Sequence, residues 1–422
     1  MNVKKLLRIG VVCVLMLLMS FGLLLMIEIG IRIFHPEPDR GLQIDMELFR
    51  YHPYVIHTHA PNLQLGNTKN VLEGYFGHSE QTDASGGITF ISNSQGFRSR
   101  EFNYQPKGSN TVRILVVGGS ASISWNIGER GRLERWMEDY LKPKFPDKEF
   151  EFYNIGNGAW ISFQELVALQ LYGLKMSPDF VIAYDGFNDI EHCASMQINQ
   201  AYADGYMRAG NDMYRDWVYG GMSELLKVFK TDDVIRSALK RRQTQSEIAT
   251  VPGSPVLPEL AQKPEPGYFQ TKPMGFPLLM EKIMARTDFD PYNRAVVDNY
   301  LTNIQCMASI LEPGKTIFIA ALQPALIFKD PISDVEKRMM QTGYGAQANF
   351  VAQGYERMWI GLREMQKVLP NMRAVDLRYI YAGNTNTVFG DNVHVFMPGY
   401  KIAGEILGSE IAACISARAD KK

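Results

Sequence analysis

Cysteine is scarce in this chain, with four in 422 residues. Cys13 sits inside an apolar run, and the other three (Cys193, Cys306 and Cys414) allow at most one internal bridge, so this is not a disulfide scaffold. No pair is singled out, and all three fit buried thiols. An excess of either charge is also missing. The formal net charge is -1, which implies neither nucleic acid nor an acidic surface as partner. Histidine is nearly as scarce, at seven. His35, His52, His57, His59 and His78 all fall in the first quarter of the chain, leaving His192 and His394 for the remainder. There is no Gly-x-Ser-x-Gly elbow, no Gly-rich phosphate loop and no His-Glu-x-x-His helix. No cofactor is implied.

One long hydrophobic run is present. Residues Ile9 to Ile27 are apolar with Ser20 the one clearly polar side chain. As a helix the run spans roughly 28 Å, close to a bilayer's hydrocarbon thickness. Lys4, Lys5 and Arg8 precede it, with fewer cations following. The charge bias puts the N-terminus in the cytoplasm. A cleaved signal peptide is the competing reading, but Glu28-Ile-Gly-Ile-Arg32 follows the run rather than a small-residue cleavage site. The expectation is a cytoplasmic tail over 1–8 and a transmembrane anchor over 9–31. The remaining chain would then be periplasmic or extracellular, with inner-membrane lipid as a partner.

Residues 32–110 are polar, rich in aromatics and short of helical periodicity, and they read as a juxtamembrane stalk or accessory segment. From 111 onward the pattern is α/β. Strands are expected at 112–118, 149–154, 179–184, 315–321 and 373–377. Helices are expected at about 129–142, 162–176, 292–311, 346–368 and 398–415. Such alternation predicts parallel βαβ units in a three-layer α/β/α domain with a five-stranded, doubly wound sheet. Residues 194–291 interrupt it. They contain a proline-rich stretch at 252–277 and an amphipathic helix candidate at 222–243, and they read as a lid, a protein-docking arm or a surface excursion.

The chemistry concentrates at the ends of these strands. Ile114 to Val117 form a β-branched run that stops at Gly118-Gly119-Ser120. The glycines allow a sharp turn, and open α/β sheets put their chemistry at the carboxyl ends of buried parallel strands. Ser120 is therefore the candidate nucleophile; a phosphate-binding or structural turn is the alternative. A serine needs a base, and histidine is the usual one. His394 lies in Asp391-Asn-Val-His394, where the carboxylate can bond Nδ1–H and fix the tautomer. The strand at 149–154 ends in Asn154-Ile-Gly-Asn-Gly158-Ala159-Trp160, a turn able to offer backbone N–H groups. The strand at 179–184 ends in Asp185-Gly-Phe-Asn188-Asp189, which offers a side-chain amide. Both suit an oxyanion hole. His57-x-His59 faces one side of a strand but lacks a third ligand at metal spacing, so no metal is expected. His192 reads as a packed or pocket-wall histidine.

Taken together, Gly119-Ser120, Gly186-Phe-Asn188-Asp189 and Asp391-x-x-His394 resemble three of the marker blocks of the SGNH hydrolases, also called GDSL-type esterases and lipases. The resemblance covers roughly 110–190 and 315–415. It implies a flavodoxin-like sheet, Ser120 as nucleophile, His394 as base and Asp391 as its orienting partner. It also implies the Ser120 N–H, a backbone N–H of the second block and Asn188 as oxyanion donors, with Asp189 ordering its loop. Two departures stand out. The serine block reads Gly-Gly-Ser rather than Gly-Asp-Ser, as in membrane-anchored bacterial members. Ala159 occupies the donor glycine's position, so the donor is either the Ala159 N–H or that of Gly158.

The expected protein is thus a membrane-anchored, extracytoplasmic serine esterase that removes acyl groups, O-acetyl above all. Its substrate would be an acylated small molecule or glycan, including envelope or secreted polysaccharide. An O-acyltransferase using the same residues is one alternative, and a non-catalytic assembly component with a protein partner at 194–291 is another.

Overall fold

The computed structural model describes residues 49–65, 90–125, 127–196, 290–340 and 345–419, together with residues 16, 19–22 and 26. The chain divides into two compact units, 1–43 with 212–270 and 44–211 with 271–422. Of the first unit, residues 16, 19–22 and 26 are described and are helical. The segment 222–243, the proline-rich stretch 252–277 and most of the interruption 194–291 lie outside the described residues.

Two short antiparallel hairpins come first. β1 (Phe49–His52) pairs with β2 (Ile56–His59), and β3 (Gln64–Leu65) with β4 (Phe90–Ile91). The α/β layer starts with β5 (Thr111–Gly118), α1 (Leu133–Leu141) and β6 (Glu149–Asn154). There follow α2 (Ser162–Ala168), prolonged by a wide turn to Met176, then β7 (Phe180–Asp185) and α3 (Phe187–Met196). After α4 (Asp290–Leu311) come β8 (Ile317–Leu322), α5 (Asp334–Met339) and α6 (Gly345–Val368). The chain closes with β9 (Met372–Asp376) and α7 (Met397–Ala419).

The five strands from β5 onward form one parallel sheet in the order β6-β5-β7-β8-β9. The two central strands explain the sheet. All of β7 and all but the first residue of β5 are buried, as expected of strands covered on both faces. The direction of winding reverses between β5 and β7. The first crossover, through α1, therefore lies on the opposite face from the later ones. In agreement, α1 packs on α7, while α2, α3 and α6 pack on or around α4. Ligands in such sheets sit where the order reverses, outside the carboxyl ends of the strands. Here that place is bounded by the turns after Gly118 and Asp185.

Two boundaries depart from expectation. The helix expected over 129–142 begins at Leu133, because Arg132 is extended and its guanidinium bonds Glu129, Glu134 and the Arg98 carbonyl. The helix expected over 162–176 is α-helical through Ala168 and then changes pitch. The larger correction concerns the anchor. Among the described residues, no helix is long and apolar enough to cross a membrane. Even α7, one of the longest described helices, buries Tyr400, Ala403, Leu407 and Ile411 against the domain and carries Lys401, Glu405, Glu410 and Arg418 elsewhere. Residues 9–31 lie outside the described residues apart from 16, 19–22 and 26. The single-pass anchor is therefore withdrawn. With it go the lipid partner, the extracytoplasmic placement and the envelope-polysaccharide substrate that rested on it.

The segment before β5 is fastened to the loop after it. Arg98 is fully buried, donates to the carbonyls of Ile123, Ser124 and Ile127, and pairs with Glu129 at 2.9 Å. Its guanidinium also lies 4.9 Å from the centre of the Phe90 ring. Removing one partner of a buried charged network strands the others. Arg98→Met is expected to cost about 3–5 kcal/mol, read as a lowered urea midpoint; a midpoint equal to wild type would contradict this account of the segment.

Candidate active site

The turn after β5 presents Ser120. Gly119 admits no side chain, because a Cβ there would run into the Asn188 amide. The Ser122 hydroxyl and N–H both donate to the Gly119 carbonyl, at 2.8 and 3.1 Å, and close the turn. Tyr400 of α7 donates its hydroxyl to the Ala121 carbonyl at 3.0 Å, tying the serine turn to the last helix. Ser120 itself is buried, with 9% of its surface exposed.

His394 reaches the serine from the loop before α7. Its Nε2 is 2.7 Å from Ser120 Oγ and its Nδ1 is 2.7 Å from Asp391 Oδ2. The other carboxylate oxygen, Oδ1, accepts the backbone N–H groups of Val393 and His394 at 2.8 and 2.7 Å. Burial pushes the Asp391 carboxyl upward, but the imidazole and these bonds outweigh it and hold it below the usual carboxylate range. An ionised Asp391 can only accept, so Nδ1 carries the proton. Nε2 is then left with a lone pair that accepts the Ser120 hydroxyl. The loop has its own support: the buried Lys329–Glu336 pair, 2.7 Å apart, places Glu336 to accept the N–H groups of Val388 and Phe389.

The other two strand ends converge on the same turn. Asn188, at the start of α3, donates one amide hydrogen to the Trp160 carbonyl at 2.8 Å, which orients the group. Its amide nitrogen lies against Gly119. The loop after β6 runs beside it, with the Asn157 N–H on the Gly118 carbonyl at 3.1 Å. Gly158 donates its N–H to Asn157 Oδ1 at 3.0 Å, so that hydrogen is engaged within the loop. Ala159 has φ +58°, the left-handed region that favours glycine. That conformation costs a side-chain-bearing residue about 1 kcal/mol, which is the physical reason a glycine is expected there.

Beneath this layer lies a group of buried acids. Asp189 accepts the Ser162 hydroxyl at 2.5 Å and the Ser162 N–H at 3.1 Å, and so holds the start of α2 against α3. Tyr300 donates to Asp185 Oδ1 at 2.8 Å, and Glu165 is fully buried beside them. Burial raises all three carboxyls: Asp185 to about 6, Asp189 to about 8 and Glu165 well above its usual value, with neighbouring acids adding to the rise for Asp189 and Glu165. Glu191, half-buried one turn after Asn188, is pushed up to about 7 by burial and by Asp391, with His394 opposing. Sequence reasoning passed over Glu165 and Glu191. Glu191 follows Asn188 by three residues, one helical turn, and that spacing is the signal that could have found it.

The paired histidines are not at the reaction centre. His57 and His59 are buried in β2, His57 beside Gly158 and His59 among Phe49, Phe90 and Trp125. Among the described residues no group of three His, Cys, Asp or Glu could hold a metal ion. His192 and Cys193 have side chains outside the described residues, as does Cys13. Cys306 is an exposed free thiol and Cys414 a buried one.

No family model matches the chain, and no curated relative matches it. Several solved structures are similar at a distance. An acetyl xylan esterase has 12% identity over 71% of this chain and 99% of its own, with a TM-score of 0.38. A GDSL-like lipase from Bacteroides thetaiotaomicron has 13% identity over 74% and 92%, at 0.35. An acetylxylan esterase from Geobacillus stearothermophilus has 12% over 72% and 95%, at 0.33. Likenesses this distant assign no family and carry no argument about substrate. The expected membership of the membrane-anchored SGNH branch is corrected on both counts: no family model supports it, and no described helix provides the anchor. What stands is the geometry that brings Ser120, His394 and Asp391 together.

The buried acids give the fold a pH dependence whose sign is fixed. Asp185, with a folded pKa of about 6, and Asp189, with about 8, bind protons more tightly folded than unfolded. Their contribution to stability is complete below the unfolded value of about 4 and is lost as pH rises through the folded values. Tm is expected to fall from pH 5 to pH 8. Asp185→Asn keeps an acceptor for Tyr300 but removes one titration, so its Tm should fall less steeply; a steeper fall, or a wild-type Tm that rises across this interval, would refute the assignment.

Proposed function

We propose that this chain hydrolyses carboxylic esters through a covalent acyl-enzyme formed on Ser120. The observation that carries the reading is the unbroken line from Ser120 Oγ to His394 Nε2 and from Nδ1 to Asp391, with both contacts at 2.7 Å. A serine hydroxyl at neutral pH becomes a competent nucleophile when a base in hydrogen-bond contact takes its proton during attack. His394 is that base, in the tautomer Asp391 imposes.

The reaction runs in two steps. Ser120 Oγ attacks the ester carbonyl while its proton passes to His394 Nε2, and the ester carbonyl oxygen becomes an oxyanion. The imidazolium then protonates the leaving alcohol as the ester C–O bond breaks, leaving an acyl-serine and a neutral imidazole. Water, deprotonated by His394, attacks the acyl-serine, and the serine oxygen recovers its proton as the acid departs. Asp391, held below the ordinary carboxylate range, stays ionised and stabilises the imidazolium at each stage. The oxyanion is assigned to the N–H of Ser120, the N–H of Ala159 and the second hydrogen of the Asn188 amide, whose first is already committed to Trp160. Removing one such donor typically costs 10²–10³ in kcat.

Hydrolysis of p-nitrophenyl acetate by the purified full chain tests this. Ser120→Ala should lower kcat by at least about 10³-fold. Asp391→Asn, which keeps the shape but favours the wrong tautomer, should lower it by about 10²–10⁴-fold with little change in KM. Turnover that survives in Ser120→Ala would refute the assignment.

A further inference from the structure

We infer that His57 is a positioning residue for the oxyanion hole, clamping the Gly158–Ala159 peptide from the side opposite the reaction. The inference rests on the esterase reading above and goes beyond it. Its starting point is a single contact between elements far apart in the chain: His57 Nε2 lies 2.8 Å from the Gly158 carbonyl oxygen. A carbonyl only accepts, so Nε2 carries a hydrogen and donates it. Burial holds the imidazole at about pKa 4 and so leaves it neutral near pH 7, with its single ring hydrogen committed to the Gly158 carbonyl.

The Gly158 carbonyl and the Ala159 N–H belong to one planar trans peptide, and in such a unit they point in opposite directions. Fastening the carbonyl to His57 in the β1–β2 hairpin therefore aims the Ala159 N–H away from that hairpin. The same bond polarises the amide and strengthens its N–H as a donor, by about 10–30%. This matters here because Ala159 holds a left-handed φ of +58° without being glycine. A strained alanine keeps such a conformation only when its surroundings over-determine it.

Those surroundings are built around His57. Its own carbonyl accepts the Trp160 indole N–H at 3.1 Å, so His57 grips the loop on both sides of Ala159. Two further bonds fasten the loop and the helix after it: Gln164 Nε2 donates to the Val55 carbonyl at 2.8 Å, and Asn157 Nδ2 to the Gly96 carbonyl at 3.3 Å. The ring of Phe49 packs edge-on against the imidazole, with centroids 5.3 Å apart. The backbone at His57 is itself set by strain. Ile56 has φ +69°, and the His57 N–H bonds the Val55 carbonyl at 2.8 Å. That is a three-residue turn centred on a β-branched residue in a conformation such residues rarely adopt. Two residues of unfavourable φ, Ile56 and Ala159, thus flank the two ends of one hydrogen bond. Strain of this kind gathers where geometry is being held for a purpose.

The discriminating experiment compares two variants of the full chain in ester hydrolysis. His57→Gln places an amide N–H where Nε2 lies, whereas His57→Phe fills the aromatic site but donates nothing. The expected result is a 10–100-fold lower kcat for His57→Phe at nearly constant KM, with most of the loss recovered in His57→Gln. Amide hydrogen exchange over 157–160 should be faster in His57→Phe and close to wild type in His57→Gln. Wild-type kcat in His57→Phe would overturn the inference, as would equal losses in both variants with a parallel fall in Tm. A folded wild type that turns over no ester would instead overturn the esterase reading, which separates the two failures.

Discussion

Ser120 and His394 stand 274 positions apart in the chain, and their side chains meet at 2.7 Å. Everything else in the described domain serves that distance. It tolerates little error, because proton transfer needs direct hydrogen-bond contact. The serine hangs from β5, an inner strand buried on both faces, and the histidine from a loop tied down at each end. The Tyr400 hydroxyl on the Ala121 carbonyl and the Glu336 carboxylate on the N–H groups of Val388 and Phe389 hold the two halves in register. Flexible loops alone would not keep groups that remote within reach, which is why the supporting contacts lie on helices and strands.

The site also shows how the fold separates carboxylates by environment. Asp391 receives two backbone N–H groups and an imidazole and is held ionised. Asp185, Asp189 and Glu165 are packed together in the interior and are pushed toward the neutral form. The buried acids then act as hydrogen-bonded struts: Asp189 joins α2 to α3, and Tyr300 ties α4 to Asp185 at the end of β7. The oxyanion donors assigned to Asn188 and Ala159 stand on those struts.

Much of this was legible in the sequence, for identifiable reasons. The five strands are short runs, four of them ending in glycine, asparagine or aspartate and β8 in Leu322, and they fall within two residues of their expected positions. Asp391 and His394 are three residues apart, so their contact is local and can be read from spacing. The His57–Gly158 contact spans 101 positions and joins a hairpin to a loop of another element, which no periodicity announces. Glu165 and Glu336 are hidden for a related reason: a charged residue on a helix looks solvent-facing until tertiary packing buries it. The length and flanking charge of the apolar run at 9–27 suggest a membrane span, and no described helix supports it. Ala159 was recognised as a departure, but its left-handed backbone, which gives the departure its meaning, is a property of the folded loop.

The central claim is that Ser120 is an activated nucleophile, and covalent trapping tests it most directly. Folded full-length protein would be treated with a fluorophosphonate and digested, and the modified peptide identified by mass. The account predicts one phosphonylated site, Ser120, and loss of the adduct when His394 is replaced by alanine. A folded wild-type chain that acquires no adduct on Ser120, or acquires it equally well without His394, would contradict it.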